Sequence, residues 1–129
     1  MRIMSGASVF LVQDVQASAA YFRDTMGFRF DRFWGDPPGF CMVWRDEQCI
    51  MLSQASEPGL IRPVSSVAPA VWDAYFWVDD VDAFHQELSA KGATIAYAPF
   101  VKPYGVKEFV VVDLDGHQLA FGEELPDPT

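Results

Sequence analysis

Few side chains in this sequence are of types that do chemistry, and their spacing limits what they could do. The candidates outside the acids are His85, His117, Cys41 and Cys49. His85 lies in AFHQEL, three residues before Leu88, where a helical spacing turns its ring to solvent or to packing rather than to a ligand. His117 follows the turn LDG and is expected at a rim or supporting that turn. A lone cysteine such as Cys49 is more often a small buried apolar group than a nucleophile. The chain holds no Ser/His/Asp set, no glycine-rich phosphate loop and no CxxC pair.

Charge narrows the partners. With 18 acidic against 9 basic residues the net charge is −9, which repels nucleic acid and anionic membranes and favours the approach of cationic small molecules. Eleven Phe, four Trp and four Tyr exceed what a small core requires, so some are expected to line a cavity or a subunit interface. The 129 residues fit a single domain. No apolar run has the length of a bilayer, and MRIMSGASVF lacks the features of a secretory leader, so the expectation is a soluble cytoplasmic protein.

The elements that must position these residues come from a repeat. FLVQDVQASAAYF, from Phe10, and FWVDDVDAFHQEL, from Phe76, align at an offset of 66 residues, matching Val12 with Val78, Asp14 with Asp80 and Val15 with Val81. Gly27 answers Gly92 at offset 65, and Asp46, Ile50 and Leu52 answer Asp115, Leu119 and Phe121 at offset 69. Ser8 to Gln13 and Ala74 to Asp79 read as strands. Asp14 and Asp80 are suited to cap the helices that follow, because a short carboxylate accepts from the free N–H groups of a first turn. Val15, Ala19, Phe22 and Met26 form one helical stripe and Val81, Phe84 and Leu88 the other, with Gly27 and Gly92 placed to end them.

Three strands are expected after each helix: Phe28 to Trp34, Gly39 to Arg45 and Gln48 to Gln54, then Thr94 to Ala98, Lys107 to Val112 and Gln118 to Phe121. Pairing Arg45 with Gln48 sets Trp44 opposite Cys49 and Cys41 opposite Leu52, so the two thiols fall on opposite faces and no disulfide is expected. The chain thus reads as α+β, with two βαβββ modules at 5–54 and 71–124, a linker at 55–70 and a tail at 125–129. Each module covers one sheet face with its helix, and pairing the modules would leave a concave trough where a small molecule belongs.

This layout, with VQDV, MGF, VDDVD, PYGVKEF and DLDGH at their spacings, resembles the vicinal oxygen chelate superfamily, which holds glyoxalases, extradiol dioxygenases and bleomycin resistance proteins. The resemblance spans residues 5–124 and implies a curved mixed sheet with a concave cleft. Metal-using members take ligands from the first and last strand of each module, and those positions hold Ala7, Met51, Asp73 and Ala120 here. One carboxylate falls short of the roughly three ligands a catalytic divalent ion needs, so no metal or other cofactor is expected.

Taking those positions as inward, alternation lines the trough with Phe40, Met42, Trp44, Cys49, Met51 and Ser53 from one module and Asp73, Tyr75 and Trp77 from the other. The likeness is greatest to the bleomycin resistance proteins, small acidic dimers that hold the antibiotic without destroying it. It implies ligand contacts at Ser53 in CIMLS, at Tyr104 in YGVKEF, and at Asp31, Phe33, Trp34 and Phe40 in a segment about three residues longer than in those relatives. It also implies a homodimer that sequesters a cationic or aromatic compound such as a bleomycin-type glycopeptide. The competing expectation is a metal-dependent lyase, isomerase or dioxygenase of the same superfamily, working near Asp73 or through Glu108 and Tyr104 as acid and base.

Overall fold

The computed structural model describes residues 1–127, so the last two residues of the expected tail lie outside the described residues. The chain forms two compact units, Met1–Arg62 and Pro63–Thr129. The first carries β1 (Ala7–Val12), α1 (Val15–Asp24), β2 (Phe33–Trp34), β3 (Phe40–Arg45) and β4 (Gln48–Gln54). The second carries β5 (Ala74–Trp77), α2 (Val81–Ala90), β6 (Thr94–Val101), β7 (Val106–Val112) and β8 (Gln118–Glu124). The sheet orders are β1-β4-β3-β2 and β5-β8-β7-β6. In each, the first and last strands pair in parallel and the rest run antiparallel, giving two copies of βαβββ and the α+β class read from the sequence. Among the described residues no helix is long and apolar enough to cross a membrane.

Local chemistry explains where the elements begin and end. Asp14 accepts from the N–H groups of Gln16 and Ala17 at the start of α1, and Asp80 accepts from that of Ala83 at the start of α2. Past the helix ends, Gly27 and Gly92 take φ of 75° and 85°, a left-handed geometry that costs glycine least. A side chain from the last strand of each unit supports the same corner: Gln54 accepts from the Val15 N–H and Glu123 from the Val81 N–H. The β3–β4 hairpin has the expected register, Arg45 with Gln48 and Trp44 with Cys49, and both thiols are free.

One element departs from expectation. Phe28 to Trp34 was expected as a strand, but only Phe33 and Trp34 pair with β3, and Arg29 makes an isolated bridge to Trp44. The Phe28 N–H is taken by the Phe22 carbonyl at the end of α1, its ring packs on that of Phe22, 5.4 Å away, and one extra residue between Arg29 and Phe33 shifts the register against β3 before Gly35 turns the chain at φ 98°. An extra residue on one strand of an antiparallel pair interrupts the ladder locally. In the other unit β6 runs three residues beyond the expected Ala98, with register shifts that let it bend along β7.

Each helix covers one face of its sheet. In the first unit Phe10, Val12, Val15, Ala19, Phe22, Met26, Cys41, Val43, Ile50 and Leu52 are buried. In the second, Phe84 of α2 meets Phe109 and Phe121 edge-on, and Phe121 stacks on Phe76 at 5.6 Å. Phe76, Phe109 and Phe121 therefore mark the helix-covered face, and alternation turns Tyr75, Trp77, Glu108, Ala120 and Gly122 to the other.

Candidate functional site

The uncovered face of the second unit is built around one acid. Glu108 sits in VKEFVVV on β7, between residues of an otherwise apolar strand, and is fully buried. A carboxylate removed from water needs donors, and here three phenols supply them. Tyr75 donates to Oε1 at 2.9 Å, Tyr104 donates to Oε1 at 2.7 Å and Tyr97 donates to Oε2 at 2.7 Å. Lys102 Nζ lies 3.9 Å from Oε2. Trp72 Nε1 donates a long 3.4 Å bond to the Tyr97 oxygen.

These donors come from separate elements, and the sheet order brings them together. Tyr75 is on β5, Tyr97 on β6, and Lys102 and Tyr104 on the β6–β7 connection. To reach Glu108 on β7, the Tyr75 side chain must pass over β8, which lies between them. It crosses at Gly122, the residue paired with Glu108. A Cβ on Gly122 would collide with the Tyr75 hydroxyl and come within 2.8 Å of Val106 Cγ1. The replacement Gly122→Ala is accordingly expected to push the Tyr75 hydroxyl off Glu108 and to destabilise the fold by about 1 to 3 kcal/mol. Urea denaturation checks this, and an unchanged midpoint would show that Tyr75 steps aside freely.

Burial, then the hydrogen bond and charge of Glu108, pushes the Tyr97 phenol up to about 12, with the Trp72 bond opposing. Burial and Glu108 likewise raise Tyr75 and Tyr104 above the ordinary phenol value. Tyr104 is 56% exposed as a residue, yet its hydroxyl end is turned into the cluster. The three hydroxyls therefore stay protonated and donating over the whole physiological range. Beside them the Trp72, Tyr75 and Trp77 rings form a run, with centroids 4.9 Å apart at each step and Trp77 62% exposed.

The uncovered face of the first unit lacks such a hub. Phe40, Met42, Trp44, Met51 and Ser53 share it, half-buried, with Val9 and Leu11 exposed beside them. Trp34 packs edge-on against Phe40 at 5.6 Å, and the Arg32 guanidinium lies over the Trp34 ring at 4.3 Å. Phe33 is half-buried against Phe30, and Asp31 is exposed nearby. Thus the structure gathers Tyr75, Trp77 and Tyr104 in one unit and Trp34, Phe40, Trp44, Met51 and Ser53 in the other.

Asp73 is taken up by backbone bonds. Its two carboxylate oxygens accept from the backbone N–H groups of Val64, at 2.9 Å, and Gln118, at 2.8 Å, clipping the connecting segment to the start of β8. With Ala7, Met51 and Ala120 at the other three positions, that set does not fit a divalent ion. Among the described residues, Asp113, Asp115 and His117 bring metal-type donor atoms within 4.8 Å of one another. Asp113 Oδ1, however, accepts from the backbone of Asp115 and His117, and Oδ2 bonds His117 Nδ1 at 2.8 Å. This is the scaffold of the β7–β8 turn. Burial would lower the His117 pKa, but the bond and charge of Asp113, with Asp73 and Asp115, raise it.

His85 packs edge-on against Phe109 at 5.2 Å. Burial, then the charges of Asp31 and Cys49, pushes the Cys41 thiol up to about 11, and burial raises Cys49, so thiolate is scarce at either. Tyr97, Trp72 and Lys102 were not singled out by sequence reasoning, and Glu108 only as a possible base. The available signal was an acid inside the apolar run VKEFVVV, which demands buried donors.

Two tandem βαβββ units, each with one uncovered sheet face lined by aromatic groups, define a scaffold class associated with small-molecule sites. The family model of the Glyoxalase/Bleomycin resistance protein/Dioxygenase superfamily matches residues 6–121, and the chain belongs to that superfamily. No curated protein sequence matches it significantly. Among solved structures it is similar to a bleomycin-binding protein from bleomycin-producing Streptomyces verticillus complexed with copper(II)-bleomycin, with 24% identity, coverage of 98% of this chain and 99% of that one, and a TM-score of 0.68. TioX from Micromonospora sp. ML1 shows 21% identity, 92% and 97% coverage and a TM-score of 0.72. A glyoxalase-related enzyme from Clostridium phytofermentans shows 16% identity, 97% and 98% coverage and a TM-score of 0.77. Likenesses this distant fix the fold alone, since one fold hosts many chemistries.

Proposed function

We propose that this protein binds a cationic, partly aromatic small molecule and acts by sequestering it, as a bleomycin-resistance-like homodimer that uses no metal. The observation that carries this reading is the uncovered face of the second unit, where Tyr75, Tyr97 and Tyr104 surround the buried Glu108 and Trp77 packs against Tyr75. Such a surface offers ring faces for stacking and a fixed negative charge for a cation. The net charge of −9 reinforces the attraction. The first unit offers a separate proposed set of contacts, ring faces at Trp34, Phe40 and Trp44 with Asp31, Phe33, Met51 and Ser53 beside them.

The likeness to the bleomycin-binding protein supports the choice of probe. Titration with metal-free bleomycin is expected to quench tryptophan fluorescence with a Kd of about 1 μM or tighter, in protein that sediments at twice the 14.4 kDa chain mass. Absence of quenching at millimolar ligand would overturn the reading. A second reading, a lyase or isomerase of the superfamily, is favoured by the Tyr104 hydroxyl 2.7 Å from Glu108, a pair able to pass a proton. Stoichiometric zinc, nickel or iron in protein purified without chelator would favour it over sequestration.

A further inference from the structure

The direction of the hydrogen bonds at Glu108 says what kind of group can dock there. A phenol has one proton, and the protons of Tyr75, Tyr97 and Tyr104 are all spent on the carboxylate. Each hydroxyl oxygen is left with lone pairs alone, backed by the buried Glu108 carboxylate. The one bond from outside the ring of phenols obeys this polarity: Trp72 donates into the Tyr97 oxygen. A surface of acceptors selects donors with positive charge and rejects anions.

The chain supplies its own example of a fitting group. The Lys102 ammonium lies 3.9 Å from Glu108 Oε2, 4.5 Å from the centre of the Phe100 ring and 5.1 Å from that of Tyr97. A carboxylate flanked by two rings attracts an ammonium ion both by its charge and by the quadrupoles of the rings. Lys102 follows the last residue of β6 in the turn into β7, and its side chain is 22% exposed on a flexible four-carbon stem, so it can swing into solvent without disturbing a strand. A guanidinium fits less well. Its two parallel bonds would need both Glu108 oxygens free, and both already accept hydroxyls.

We propose that the Glu108 cluster is a binding site for the primary ammonium group of a ligand, and that Lys102 is its tethered occupant in the free protein. The neighbouring Trp72, Tyr75 and Trp77 rings place an aromatic surface beside the site, so the ligand class is an arylalkylamine, or a larger molecule ending in one. This deepens, and rests on, the reading of the protein as a binder of cationic small molecules. Ligand binding exchanges one ammonium for another, and the occupied fraction of the Lys102 pose sets how far apparent affinity falls below the intrinsic value.

Calorimetric titration with phenethylammonium chloride, phenethyl alcohol and phenylacetate tests the site. The ammonium compound is expected to bind at least about tenfold more tightly than the alcohol, with no binding of the carboxylate. Lys102→Met should tighten phenethylammonium binding roughly tenfold by removing the competitor, and Glu108→Gln should weaken it by a similar factor or more. Equal binding of ammonium and alcohol, or a Lys102→Met variant that binds no more tightly than wild type, would overturn the proposal. Those two comparisons decide even if Glu108→Gln does not fold. Failure of phenethylammonium to bind while bleomycin still binds rejects this site alone, whereas the reverse result rejects the bleomycin-type reading and leaves the ammonium site standing.

Discussion

Glu108→Ala is expected to destabilise the protein by about 3 to 5 kcal/mol, the usual cost of removing one partner from a buried charged network. The substitution leaves three phenol hydroxyls and the Lys102 ammonium without the acceptor around which they converge. Urea denaturation measures the loss. Glu108→Gln, which keeps the shape and one acceptor oxygen, should cost less, and a loss below about 1 kcal/mol for the alanine variant would show that water replaces the carboxylate adequately. Alkaline titration gives an independent check. The phenols have folded-state pKa values raised above the ordinary 10, so their contribution is complete below pH 10 and disappears as pH rises through the folded values, which for Tyr97 is about 12. In Glu108→Gln the bond and charge of the carboxylate no longer add to burial. Tyrosinate absorbance should then appear at lower pH than in wild type.

Phe109→Ala is expected to cost about 3 to 5 kcal/mol through the cavity it leaves. Phe109 is fully buried and touches three rings: Phe84 at 6.0 Å, Phe121 at 5.5 Å and His85 at 5.2 Å between centres. It follows Glu108 directly, so one strand step separates the apolar core from the polar hub. Phe109→Leu, which retains most of the volume, should cost less than about 1.5 kcal/mol. Equal midpoints for the alanine and leucine variants in chemical denaturation would show that the second unit does not depend on this ring.

Much of the fold was legible in the sequence because its signals are local. Asp14, Asp80, Gly27 and Gly92 act within a turn of where they stand, and the pairing of Arg45 with Gln48 follows from the hairpin between them. The short β2 was not legible, because the one-residue register shift against β3 between Arg29 and Phe33 is decided by the pairing in three dimensions. The Glu108 hub shows the same limit more sharply. Tyr75 lies 33 residues from Glu108, and only the order β5-β8-β7-β6 together with the missing side chain at Gly122 lets them meet. Aromatic residues on the uncovered faces could be listed from alternation. Their hydrogen-bond partners could not, since those depend on which strands become neighbours.

The repeat gives the hub a further meaning. At the offset relating β4 to β8, Ser53 corresponds to Gly122, and their strand partners, Phe40 and Glu108, correspond in turn. Where one copy sets a ring, the other sets a charge. One backbone, used twice, thus carries different chemistry at equivalent places. A substitution at either place alters one half-molecule alone, with the hydrophobic skeleton beneath both helices left untouched.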